Sequence, residues 1–237
     1  MVEQDDFLNP VCIPSKLDIF PAQRMILDAL MEQLHGFRGT VLDIGCGNKP
    51  YKRLLLSPPS RADNYIGLDL RDKAYSVPDL EWDGRRIPLG ASSVDCALAT
   101  EVFEHCPEPE IVMKEAVRVL RPGGMLFFTV PFFWPLHCVP HDEYRYTPFA
   151  LERHLNRSGF DQIKMKALGG WDASLAQMLG LWVRRRPMAG WKRRILSSLA
   201  VPVVQYLFHR DRPPTVFADQ SMITLISGIA ITPQQTS

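Results

Sequence analysis

The chain predicts an α/β fold built on a doubly wound sheet, and three observations carry that prediction. Val41-Leu42-Asp43-Ile44 is an apolar run that enters the turn Gly45-Cys46-Gly47, and near-continuous apolar runs are the mark of strands buried on both faces. A second run, Tyr65-Ile66-Gly67-Leu68, ends in Asp69, twenty-two positions after Gly47. That spacing suits a nucleoside-binding βαβ unit, whose second acid reaches ribose hydroxyls. Further apolar runs then alternate with amphipathic stretches along the chain. With 237 residues, 46% of them hydrophobic, there is enough material for one α/β domain with a full core.

The elements follow in order. Asp18 to Leu34 reads as a helix, with Ile19, Ile26, Leu27, Leu30, Met31 and Leu34 near one face and Gly36 and Gly39 ending it. After the first strand and its turn, Lys49 to Leu54 starts a helix with Pro50 in its first turn. Following the second strand, Leu80–Leu89 holds a short third strand with Asp83 at its end, and Ser93–Ala99 forms the fourth. A helix from about Pro107 to Leu120 stops at the breaker Arg121-Pro122-Gly123-Gly124. Met125–Val130 is a wholly apolar fifth strand. Phe149–Asn156 is helical, Gln162–Leu168 is a sixth strand, and Ala173–Val183 and Ile195–Phe208 are apolar helical stretches. Ser221–Ile231 fits a last, antiparallel strand ahead of the polar tail Thr232–Ser237.

Asp43 is the residue that narrows the ligand. An acid inside a buried strand destabilises the fold unless something pairs with it. A nicotinamide-dependent reductase would have an apolar residue at 43 and a third glycine at 50, where Pro50 stands instead. A carboxylate beside the glycine turn suits a ligand with an ammonium group, a ribose diol and no phosphate. S-adenosylmethionine (SAM) has that chemistry.

Taken together, Asp43-x-Gly45-x-Gly47, Gly67-Leu68-Asp69, Asp83 ahead of Ile87-Pro88-Leu89, Val94-Asp95 with Glu101, and Leu120-Arg121-Pro122-Gly123-Gly124 resemble a class I SAM-dependent methyltransferase of the type 11 kind. The resemblance covers roughly residues 38–168. It implies a Rossmann-like, seven-stranded mixed sheet with helices on both faces. It also implies SAM as cofactor, S-adenosylhomocysteine as product, and methyl transfer as activity. On its pattern Asp43, Gly45, Cys46 and Gly47 wrap the methionine end of the cofactor, with Thr100 and Glu101 lining the same portion. Asp69 takes the ribose diol, Leu70 packs on adenine, and Asp83 accepts from the adenine amino group. The domain plan it implies is a single domain over 1–237: an N-terminal helical cap (1–38), a cofactor-binding core (39–168), a helical insert (171–214) and a last strand (221–231). Asp83-Gly84 also reads as a plain turn, and Glu101 as a capping or surface charge.

Beyond the fifth strand lies Pro131–Pro148, a segment too polar for core and rich in aromatics, with His137, His141, Asp142 and Glu143. Ligands of doubly wound sheets bind where such loops leave the strands. Pro140–Pro148 resembles a subgroup of these methyltransferases associated with bacterial glycan and surface-polymer clusters. A hydroxyl acceptor must lose its proton, which suits a histidine oriented by a carboxylate. His141 beside Asp142, with His137 nearby, is therefore the candidate base. The competing reading is a structural pair that pins the loop or caps the next helix. As metal ligands, His137, His141, Asp142 and Glu143 match no strong zinc spacing, so no metal is expected.

A net charge of +1 offers no global field for nucleic acid. Five scattered cysteines point to reduced thiols and a cytoplasmic setting. The acidic start Met1–Asp6 lacks the features of a signal peptide. The expected partner is a small-molecule or glycan-type acceptor, most plausibly methylated on oxygen, with N- or C-methylation or a catalytically silent SAM-fold subunit as alternatives. Residues 184–208 leave three readings open. They are peripheral contact with the inner face of a membrane, binding of an anionic acceptor, and an ordinary solvated insert. Acceptor identity and oligomeric state are left open by these residues.

Overall fold

A computed structural model describes residues 7–70 and 77–234. The acidic start Met1–Asp6 and the last residues of the polar tail lie outside the described residues.

Seven strands form a mixed sheet accompanied by helices: β1 Arg38–Ile44, β2 Arg61–Leu70, β3 Leu80–Trp82, β4 Val94–Thr100, β5 Leu120–Pro131, β6 Asp161–Leu168 and β7 Leu225–Ile231. Their order is β3-β2-β1-β4-β5-β7-β6, and β1 pairs in parallel with both β2 and β4. Parallel pairing continues outward through β2–β3 and β4–β5. The strand order reverses at β1, between β2 and β4, so the crevice at its carboxyl end is where a ligand fits. The helices are α1 Phe20–Gln33, α2 Lys52–Leu55, α3 Pro109–Val119, α4 Pro148–Ser158, α5 Trp171–Arg185 and α6 Gly190–Arg210.

The chain divides into two compact units. The larger runs from Leu30 to Met165 and resumes at Ser227. Its core is the sheet itself: Leu42, Ile44, Leu68, Leu98, Phe127 and Phe128 are all buried. Two locks brace the sheet and its loops. Arg118 on α3 donates to the carbonyls of Leu89 and Ile87, while Glu115 accepts from Ile87 N at 2.8 Å, and together they hold the segment after β3. Asp95 accepts from Thr40 N at 2.8 Å and pairs with Arg121. The acid of Val94-Asp95 therefore braces strands, away from the crevice.

The other unit holds the described residues up to Ala29 together with Lys166–Ile226. Leu17, Phe20, Ala176, Val183, Ala200 and Val204 form its apolar cluster. Buried Gln177 stitches α5 to the chain ahead of α1, accepting from Ala22 N (3.2 Å) and donating to the Asp18 carbonyl (2.6 Å).

Boundaries differ from expectation where a terminator overrides periodicity. The helix after the glycine turn is a single turn, Lys52–Leu55. The third strand keeps only Leu80–Trp82, because Asp83 captures two backbone N–H groups and turns the chain. Arg121–Gly124 stops α3 as anticipated, yet the same residues already belong to β5, where Gly123 and Gly124 bond to Thr232. The last strand begins at Leu225, four residues after its predicted start.

Candidate active site

The carboxyl ends of β1, β2 and β4 gather acids into one crevice. Asp43, on the central strand between Gly67 of β2 and Leu98 of β4, is 2% exposed. Its carboxylate accepts a short hydrogen bond from the Tyr65 hydroxyl. Burial pushes its pKa up to about 7, against the lowering effect of that bond. No described lysine or arginine forms an ion pair with it. Lys49, a cation acting on it, places Nζ 2.5 Å from Asp79. A buried carboxylate with a neutral donor and no ion pair among the described residues is stabilised in its charged form by a cation brought from outside.

The glycine turn above it is shaped for close approach. Gly45 has φ +71°, and a Cβ there would lie 2.6 Å from Val102 Cγ2. Gly47 has φ +49°, yet a Cβ there would meet nothing within 4 Å. That cradle is open. Asp69 closes it from β2, buried to 3% exposure, with Oδ2 accepting from Gly47 N at 2.9 Å and Oδ1 from Leu70 N at 2.7 Å. Between them Cys46 is buried, its thiol pushed up to about 12 by burial and therefore protonated. All five cysteines are free, in line with the reduced state expected.

Leu70 and Asp83 also come together. A Cβ on Gly84 would sit 3.3 Å from Leu70 Cδ2, so the half-exposed leucine lies against the Asp83-Gly84 turn. Asp83 makes that turn itself, accepting from Arg85 N (2.8 Å) and Arg86 N (2.9 Å), and these bonds lower its pKa.

At the end of β4, Thr100 lies opposite Thr129 of β5. Glu101 follows with φ 54°, a left-handed conformation uncommon for residues other than glycine. Thr129 holds it at both ends, donating from Oγ1 to the carboxylate (2.9 Å) and accepting at its carbonyl from Glu101 N (3.0 Å). Burial pushes Glu101 up to about 7. Tyr51 joins the two halves of the crevice: its hydroxyl is raised by burial and then by the charges of Glu101 and Asp43.

One turn on, the short 3-10 helix Phe103–His105 points Glu104 inward. Its side chain is 0% exposed, neither carboxylate oxygen has a hydrogen-bond partner, and its pKa is well raised by burial and then by Glu101. The acceptor loop is bolted to this turn. Glu143 N and Tyr144 N donate to the Glu104 carbonyl (2.8 and 3.1 Å), and the Tyr146 hydroxyl donates to the Phe103 carbonyl (2.9 Å).

The histidine assignment changes. Asp142 faces His137, accepting from its backbone N at 3.0 Å and lying 3.3 Å from its Nδ1, instead of orienting its neighbour His141. Arg145 grips both oxygens of Asp142 (2.7 and 2.9 Å), and that bond holds the carboxyl well below the usual range. His141 has an exposed side chain and offers its carbonyl to His105 Nδ1 at 2.6 Å. Adjacency in sequence misled because the residues turn apart at Asp142. Helix capping is not the pair's role either, since Thr147 accepts from Ala150 N at the start of α4. Tyr65, Tyr51, Glu104 and His105 were missed. A polar residue inside an otherwise apolar strand or turn was the available signal for the first and third.

Comparisons with known proteins agree with this geometry. A family model described as a methyltransferase domain matches residues 42–128. The chain is similar to a ubiquinone biosynthesis O-methyltransferase of Nitrosomonas europaea, with 31% identity over 103 residues, 38% of this chain and 43% of the relative. It is also similar to a trans-aconitate 2-methyltransferase of an Azoarcus species, with 33% identity over 101 residues, 39% of each chain. Matches to the first four curated relatives span 35%, 43%, 42% and 62% of those proteins' own lengths. Among solved structures, the cyclase SpnF superimposes with a TM-score of 0.57 at 18% identity, covering 91% of this chain and 83% of that one. Haemonchus contortus phosphoethanolamine N-methyltransferase 2, in complex with SAM, does so at 0.55 and 16% identity, covering 99% and 61%. Residues 42–128 thus match a methyltransferase domain, and the chain has the α/β fold of the SAM-dependent methyltransferases on which it superimposes.

The raised pKa of Asp43 sets a pH dependence. Unfolded, the group titrates near ~3.9; folded, it titrates at about 7. Its contribution to stability is therefore fully present below the unfolded value and is lost as pH rises through about 7. Tyr65→Phe removes the hydroxyl that supports the ionised form. Urea unfolding of the ligand-free variant is expected to show a loss of about 1–3 kcal/mol at pH 8 and a smaller one at pH 5. An equal loss at both pH values would contradict this.

Proposed function

We propose that the protein is a SAM-dependent methyltransferase whose acceptor is a hydroxyl on a small-molecule or glycan-type compound. The observation that carries the reading is the buried carboxylate of Asp43, with which no described lysine or arginine forms an ion pair, beneath an open glycine cradle. The residues fit the cofactor: Asp43 faces a ligand ammonium group, Asp69 a ribose diol, and Leu70 with Asp83 an adenine. When bound, SAM supplies a methyl group on a sulfonium sulfur that departs as neutral S-adenosylhomocysteine.

The chain's own residues have two tasks, to align the acceptor and to take its hydroxyl proton. Asp43 and Asp69 fix the donor end. The pocket of Glu104, His105 and His137, beside Glu101, positions the hydroxyl for loss of its proton, with Asp142 holding His137 in place. The O-methyltransferase among the relatives supports transfer to oxygen. N- or C-methylation is the alternative chemistry, and a silent SAM-fold subunit the alternative class.

Titration calorimetry with SAM tests the cofactor, and labelled SAM incubated with extracts of the source cell tests transfer. Binding is expected for the wild type, with Asp69→Ala weakening it by at least about tenfold, or 1.4 kcal/mol. His137→Ala should spare binding and lower turnover by about 10²–10⁴-fold, while His141→Ala should retain most activity. No binding of SAM or S-adenosylhomocysteine would refute the enzyme reading.

For partners, we infer that α5 and α6 rest against an anionic membrane surface. No described helix is long and apolar enough to cross a membrane. Ala200 and Val204 of α6 pack inward, yet Trp191, Ile195, Leu199 and Tyr206 are 52–65% exposed. Such a helix is apolar on both faces and needs a second apolar neighbour. No acid lies between Asp172 and Asp211. Asp18 and Asp172 pair with Arg184, Arg185 and Arg210, and Arg186, Lys192, Arg193 and Arg194 form no ion pair among the described residues. Basic residues near an anionic surface contribute about 1 kcal/mol each. The protein should sediment with vesicles of phosphatidylcholine and phosphatidylglycerol, not with phosphatidylcholine alone, and Leu199→Glu should release it. A protein left in the supernatant in both cases would identify the helices as an ordinary solvated insert.

A further inference from the structure

The strongest unassigned feature is the group Glu104, His105 and His137, which offers one ligand atom from each residue, all within 4.8 Å of one another. It differs from the set first weighed as metal ligands. Arg145 saturates Asp142, and the side chains of His141 and Glu143 are exposed.

Three observations bear on the group independently of its spacing. Glu104 is wholly buried, and neither oxygen has a hydrogen-bond partner among the described residues, an arrangement that a cation beside the ionised carboxylate would stabilise. His105 directs Nδ1 at the His141 carbonyl, 2.6 Å away, and a carbonyl only accepts. Its Nε2 lies 3.7 Å from Glu104 Oε1. His137 has the Asp142 carboxylate 3.3 Å behind its Nδ1, and its ring stands edge-on to that of His105, 4.7 Å between centroids. Metal-binding histidines characteristically have a carbonyl or carboxylate behind the second ring nitrogen, and both rings here do.

We propose that Glu104, His105 and His137 bind a divalent transition-metal cation. One carboxylate and two imidazoles suit zinc or its first-row neighbours, and three protein ligands leave positions open for water or substrate. The proposal deepens the hydroxyl-acceptor reading. A hydroxyl bound at an open position loses its proton to water more readily, and its oxygen lone pair then forms the new bond to the methyl carbon as the carbon–sulfur bond breaks. Cation binding itself does not depend on that reading.

The test is zinc chloride titrated into EDTA-stripped protein, followed by equilibrium dialysis and metal analysis, with magnesium as the control. One zinc per chain is expected. Glu104→Gln and His137→Ala should each weaken it by at least about tenfold, while His141→Ala, which keeps its backbone carbonyl, should bind as the wild type. Circular dichroism checks folding; should Glu104→Gln fail to fold, His137→Ala, at a partly exposed position, carries the comparison. Absence of zinc in the wild type, or undiminished binding in the folded variants, overturns the proposal. SAM titration on the same samples separates the two readings: SAM binding without zinc removes the cation alone, and zinc binding without SAM removes the methyl-transfer reading alone.

Discussion

A carboxylate placed in the middle of a sheet constrains everything around it. Asp43 lies on the strand where chain order reverses, flanked by β2 and β4 and almost fully removed from water. Hydrophobic packing would favour a valine or leucine there. The surroundings instead accommodate the acid at minimum expense, with one phenolic hydroxyl from Tyr65 and a lysine directed away to Asp79. Left to itself the group holds its proton to about neutral pH. The proposed cofactor would resolve that tension by bringing an ammonium group to the same place.

The rest of the crevice reads as a consequence. Gly45 must lack a side chain because Val102 occupies the space, whereas Gly47 lacks one above empty space, where a ligand would lie. Asp69 spends its oxygens on the backbone N–H groups of Gly47 and Leu70, which aligns the turn with the end of β2. Further along, Glu101 and Glu104 continue the line of buried acids, and the loop after β5 is tied to them through backbone bonds to Glu104 and the Tyr146 hydroxyl. Donor and acceptor regions thus share one run of chain, from the end of β4 through the short 3-10 helix.

The half of the site proposed for the cofactor stands out in the sequence because its signals are violations of local rules: an acid in an apolar strand, glycines in a strand-to-helix turn, a second acid at fixed spacing. The central strands followed from apolar runs long enough to be unambiguous. The acceptor half was less legible. Asp142 was read with His141 because they are neighbours, whereas the fold sends its carboxylate to His137 and Arg145. Glu104 and His105 sat in plain view after the fourth strand, but nothing local reveals that a turn of three residues will bury a glutamate completely. Edges such as the start of β7 were misplaced because Ser221 to Thr224 carry apolar character although the strand begins only at Leu225.

The most direct measurement is the titration of the Asp43 carboxyl by carbon NMR in the free protein and with SAM added. Free, it should titrate at about 7; with SAM it should fall to its ordinary value near ~3.9 or below, as an adjacent cation stabilises the charged form. A carboxyl whose titration is unmoved by saturating SAM would contradict the account, because the charge beneath the glycine turn would then have no part in holding the cofactor.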